Sequence, residues 1–210
     1  MGHDVGNDQW TSYIVFVFTG VRTTTDRIND LLSVGEEVHV DVGIFDTVCP
    51  DNNGVLYSSY VGKPVRKTLA LENNYNETID KLLVSNVTRE QGRNALAMLD
   101  AVVEAQVMYN TRDLLFCTFP KMFTDVFLKD ITSVGDIKSV FCSQLAALAS
   151  RELKHVNDYG YEELHPLAMA AYEINSRAVS PARLKKVISP FCQRAKLRKF
   201  MNGSIEFVNH

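Results

Sequence analysis

TSYIVFVFTG, residues 11–20, is the stretch that decides the fold. Its middle, Tyr13 to Phe18, is built only of β-branched and aromatic residues. Successive side chains of a strand point to opposite faces. Tyr13, Val15 and Val17 therefore share one side, and Ile14, Phe16 and Phe18 the other. A strand that is apolar on both faces sits inside a sheet that is covered on both sides. It is also far short of the roughly 18 apolar residues of a membrane span, and the chain has no longer apolar run.

The flanking sequence supplies the partners. Residues 1–9 are polar and read as a lead-in. Thr24 or Thr25 caps a short helix over 26–34, which Gly35 ends. EEVHVDVGIF, residues 36–45, alternates as a second strand. Val38, Val40, Val42 and Ile44 are assigned to the core, and Glu37, His39 and Asp41 to an outward, solvated face. Asn53-Gly54 is the strongest hairpin signal. VLYSSYVG (55–62) is a third strand and VRKTLALE (65–72) a fourth.

Beyond Asn73-Asn74 the spacing of apolar residues becomes helical. A helix is expected at 77–84. Thr88-x-x-Gln91 is a capping box opening a long helix toward Asn110, with Arg93, Ala97, Asp100 and Glu104 as its polar stripe. Further helices are expected at 121–129, from Thr132 or Ser133 to about His155, and after Pro166. Ser180-Pro181 and Ser189-Pro190 each read as an N-cap followed by a first helical residue, and Asn202-Gly203 as a C-cap. The fold class is α+β: a small, mainly antiparallel N-terminal sheet (10–73) packed on a larger C-terminal helical part (74–210), in one cooperative domain.

Charge is the clearest functional signal. Eight of the chain's 22 basic residues fall between Arg177 and Phe200, where there is no Asp or Glu. The remainder carries 14 basic against 25 acidic groups. Arg183, Lys185, Lys186, Arg194, Lys196, Arg198 and Lys199 are the candidate nucleic-acid contacts. Lys and Arg neutralise phosphates with release of counterions, and Phe191 and Phe200 lie among them for stacking on bases.

Catalytic signatures are missing. There is no G-x-G-x-x-G, H-E-x-x-H or G-x-S-x-G, and Gly62-Lys63 runs into Pro64 instead of completing a phosphate loop. Glu37, His39 and Asp41, on one face of a strand at roughly 7 Å intervals, form a metal or acid–base candidate, set against the solvated-face reading. Cys49, Cys117, Cys142 and Cys192 form no C-x-x-C pair and read as reduced, buried thiols. A Cys–His nucleophile pair would need one thiol beside His39, His155 or His165, and the apolar neighbours of three of the thiols argue against it. The sequons at Asn76, Asn86 and Asn202 are expected to be unmodified, because no secretory signal is seen and the chain reads as intracellular, of cytoplasmic type.

These readings point to a non-enzymatic, self-associating accessory protein. Its expected partners are a single-stranded nucleic acid, RNA favoured, and copies of itself, with no cofactor. The alternatives are a protein-interaction module without nucleic acid and an enzyme whose site carries no motif.

Overall fold

The computed structural model describes residues 12–20, 37–46, 54–111, 129–131 and 137–208. The lead-in, the helix expected at 26–34, all but the last residue of that expected at 121–129, the proposed caps Thr132 and Ser133, and Asn53, Cys49 and Cys117 lie outside these residues.

Ser12–Gly20 forms β1, and it is an interior strand of a six-stranded sheet. The other strands are β2 (Glu37–Asp46), β3 (Val55–Ser58), β4 (Arg66–Leu69), β5 (Lys81–Val87) and β10 (Gln193–Ala195). Their order is β10-β5-β1-β2-β3-β4, and every neighbouring pair is antiparallel. Ile14, Phe16 and Phe18 on one face of β1, and Val15 and Val17 on the other, are all fully buried.

Each face has its own cover. Ile14, Phe16, Phe18, Val40, Val42 and Ile44 share a core with Leu99 and Val102 of α1 (Arg89–Glu104) and Leu145 and Leu148 of α2 (Cys142–Arg151). The opposite face, Val15, Val17, Phe45, Leu82 and Val84, packs against Ala70, Ala195, Leu197 and Phe200. The final segment of the chain thus closes the second side. The fold is α+β, as the sequence indicates.

Several elements differ from expectation. Residues 81–87 form β5, whereas a helix is expected at 77–84. β5 pairs with β1 from Ser12 opposite Val87 to Phe18 opposite Lys81. Its apolar residues alternate as Leu82 and Val84 against Leu83 and Val87, and burial on both faces made them look helical. The long helix has its capping box at Thr88 and Gln91 but stops at Glu104. Gln106 then takes a positive φ of 51° and turns the chain toward β6 (Met108–Tyr109).

The helix expected to run to His155 begins only at Cys142, because β7 (Ser139–Val140) is held extended by parallel pairing with β6. After α2 come the hairpin strands β8 (Lys154–Val156) and β9 (Glu162–Leu164), then α3 (Pro166–Tyr172) and α4 (Pro181–Ile188), the last capped by Ser180 as expected. The second Ser-Pro step gives only a 3-10 turn, Ser189–Phe191. β10 and the short α5 (Leu197–Met201) follow it.

Close approach governs one position in β2. A Cβ on Gly43 would lie 2.4 Å from the Val55 carbonyl oxygen, so any side chain there forces β2 and β3 apart.

Arg151 ends α2 with only 3% of its surface exposed. It donates to the carbonyls of Ala171 (3.0 Å), Ile131 (2.8 Å) and Ile174 (2.5 Å) and to Asp130 Oδ2 (2.6 Å). Asp130 in turn accepts from the Ser176 amide and hydroxyl. Arg151→Met leaves three carbonyls and a carboxylate without that donor. It should destabilise the fold by about 3 kcal/mol or more, measured by urea unfolding at neutral pH. A loss under about 1 kcal/mol would show that water replaces the guanidinium.

Candidate active site

His39 and Asp41 lie two residues apart on β2, so their side chains start from the same face. The sequence places that face in solvent, and the structure corrects this. Asp41 is fully buried, and the His39 side chain is only 12% exposed. The reason is the cover provided by Ser58 at the end of β3, Tyr60 just after it, and Tyr75. His39 Nε2 is 2.7 Å from Asp41 Oδ1. Ser58 donates its hydroxyl to the same oxygen at 2.5 Å, and Tyr75 donates to Oδ2 at 2.5 Å. Asn73 holds Tyr75 in turn. The Tyr60 ring stacks on the imidazole, with 4.4 Å between centroids and 17° between planes.

The third member comes from the far side of the sequence. Cys142 is the first residue of α2, a helix that packs against β2. Its position is fixed just upstream, where Ser59 Oγ donates to the Val140 carbonyl at 2.8 Å. The thiol lies close enough to His39 to act on the imidazole. Asp41 takes Nε2 of the ring. Cys142 is 3% exposed and reduced.

The electrostatics follow from this packing. Burial pulls the imidazole pKa down, but Asp41 and Cys142 outweigh it, and His39 is held well above its ordinary 6.5. Burial pushes Asp41 up, yet His39, Ser58 and Tyr75 bring its pKa below the ordinary 3.8. The Tyr75 and Tyr60 phenols are both pushed up, first by burial and, for Tyr75, next by the Asp41 charge. At neutral pH the pair is an imidazolium bonded to a carboxylate.

The sequence therefore brought two of the three residues to notice, His39 and Asp41. It considered a thiol beside His39 and argued against it without singling out Cys142, and it missed Ser58, Tyr60 and Tyr75. The side chain of Glu37 lies outside the described ones. His39 and Asp41 bond directly to each other, which leaves no space for an ion between them. Among the described residues no group of three or more His, Cys, Asp or Glu is arranged to hold a metal.

The basic segment is divided by the fold. Lys196 and Lys199 both pair with Glu206, and the Arg198 amide donates to Glu77 at 2.7 Å. Phe200 is buried beneath the sheet, so it cannot stack on a base, whereas Phe191 is partly exposed. Arg183 is half-buried in the first turn of α4, and Lys186 is exposed. Lys185 and Arg194 meet Lys81 in a hollow of about 350 Å³, together with Ser189 and Cys192. No described helix is long and apolar enough to cross a membrane.

Comparison of the chain with protein-family models, with curated proteins and with solved structures finds no match.

The pair sets a pH dependence whose sign can be worked out. His39 has its folded pKa above the unfolded value near 6.5, so its stabilisation is complete below about pH 6.5 and is lost as pH rises through the folded value. Asp41 has its folded pKa below 3.8, so its stabilisation is present above that and is lost as pH falls through the folded value. In urea titrations across this range, the wild type should lose stability on the alkaline side more steeply than His39→Gln. Identical alkaline limbs for the two proteins would contradict a raised His39.

Proposed function

We propose that the protein is a thiol-dependent acyl-transfer enzyme, a hydrolase of amide, ester or thioester bonds, with Cys142 as nucleophile. One observation carries this reading: a thiol at the first turn of a ten-residue helix lies beside an imidazole that a buried carboxylate holds by one nitrogen. Nucleophile, base and orienting group in that order are the signature of an activated side chain. In such chemistry the thiolate is the attacking species.

The roles follow from the geometry. Cys142 attacks as the thiolate, its proton already on the His39 imidazolium, and the sulfur adds to the substrate carbonyl carbon. Collapse of the adduct breaks the bond to the leaving amine, alcohol or thiol, which takes the proton from His39. A thioester remains on Cys142. Water then attacks it with His39 as base, releasing the acid and restoring the thiol. Asp41 stabilises the imidazolium and keeps the ring turned, and stacked Tyr60 limits its rotation. Ser58 and Tyr75 hold the carboxylate itself.

Iodoacetamide followed by peptide mapping should label Cys142 well before Cys192, whose thiol burial pushes up to about 12. p-Nitrophenyl acetate should give a burst of product and an acetylated Cys142. Cys142→Ala should abolish the burst. His39→Ala should lower the acylation rate by about 10²–10⁴-fold, and Asp41→Asn should lower it as well. Acylation that persists without Cys142, or is indifferent to His39, would remove this assignment.

The hollow lined by Lys81, Lys185 and Arg194 favours a second reading, in which the basic segment binds single-stranded nucleic acid, RNA favoured, in a self-associating protein. Three cations on one strand should give a log-affinity against log-salt slope of about −2. Lys185→Glu with Arg194→Glu should flatten it, measured by anisotropy of a labelled oligonucleotide. A salt-independent or undetectable interaction would remove the reading.

A further inference from the structure

The side chain of Gln144 is fully buried at the third position of α2, two residues beyond the nucleophile. Its Oε1 accepts from the Phe141 amide at 3.4 Å, so the carboxamide folds back over the start of the helix. That bond also settles which end of the amide is oxygen, because the partner is a donor. Nε2 is then left with no acceptor among the described residues, although it is sealed from solvent. Buried donors are nearly always paired, and an orphan calls for a reason. Here the orphan sits at the one helix start that carries the proposed nucleophile. The first amides of any α-helix have no acceptor within the helix either. The orphan side-chain donor and the first backbone amides thus belong to the same helix turn as Cys142.

Resting on the acyl-transfer reading above, we infer that Gln144 is an oxyanion donor: its Nε2, with the N-terminal amides of α2, receives the negative oxygen formed when the Cys142 sulfur adds to a carbonyl. The adduct's oxygen gains charge only after the C–S bond has formed. These donors then serve addition to a carbonyl and do nothing for displacement at a saturated carbon. In the resting protein the donor is unpaired. The hydrogen bond completed in the transition state thus has no counterpart to break first. No net proton transfer is needed: the oxyanion collapses and expels the leaving group, and Gln144 keeps both its hydrogens.

The two reactions of Cys142 separate this role from a structural one. Gln144→Glu keeps an oxygen for the Phe141 amide and deletes the donor, and Gln144→Met removes both polar ends at similar volume. Acetylation by p-nitrophenyl acetate should fall by about 10²–10³-fold in both variants. Alkylation of Cys142 by iodoacetamide should stay within about twofold of wild type. Acetylation at the wild-type rate in either variant overturns the assignment, and so does a parallel fall in alkylation, which would mean that Gln144 only shapes the helix start. A wild-type protein that alkylates at Cys142 but never acetylates overturns the acyl-transfer reading itself, and this assignment with it.

Discussion

β1 is buried on both faces, and no single layer of structure can hide both. Ile14, Phe16 and Phe18 need the long helices on one side, while Val15 and Val17 need a second cover on the other. Burying such side chains is worth about 1.5–3 kcal/mol each, so leaving either face open would cost a large part of a typical domain's stability. The chain meets the demand with distant segments. β5 and β10 extend the sheet, and the last turns, through Leu197 and Phe200, close its second face. α1, α2, α3 and α4 all contribute side chains to the core on the first side.

A second constraint is laid over the first. Asp41 puts a carboxylate with no solvent exposure in the middle of β2. A buried charge is tolerated only when it is paired and fully hydrogen-bonded. The fold answers with His39, Ser58 and Tyr75, three donors for one carboxylate. This cluster has a cost in specificity of sequence, because an apolar residue would bury more easily at that point. Its presence beside a thiol at a helix start is what gives the arrangement chemical meaning. The same four groups without Cys142 would be a buried ion pair and nothing more.

Arg151 and Gln144, at opposite ends of α2, show how the helix treats polar groups. Arg151 is almost entirely enclosed, and its donors are met by three carbonyls and a carboxylate. Gln144 is equally enclosed but keeps one donor unmet. An unsatisfied buried donor costs about 1–3 kcal/mol. A helix anchored so firmly at its C-terminal end can carry that cost at the other, and strain of this kind concentrates where chemistry is done. Tyr60 and Ser59 tie the two halves of the site together, the first by stacking on His39 and the second by holding Val140 beside β3.

The sequence determined what local chemistry determines. The double-faced apolar run of β1, the alternation of β2, the capping box at Thr88 and Gln91 and the Ser180-Pro181 helix start were all legible, because each depends on residues a few positions apart. It could not separate β5 from a helix, since a strand buried on both sides loses the alternation that marks it. It could not place the start of α2 at Cys142, because the extended backbone before it is imposed by pairing with Met108–Tyr109, some thirty positions away. His39 and Asp41 stood out as a pair on one strand face, but whether that face was wet or buried was a tertiary matter. So was the approach of Cys142, about a hundred residues along the chain. Charge density marked the C-terminal segment, yet only the folded chain put Lys196 and Lys199 on Glu206 and Phe200 under the sheet. Contacts between distant residues depend on how the layers stack, and no window of sequence contains that information.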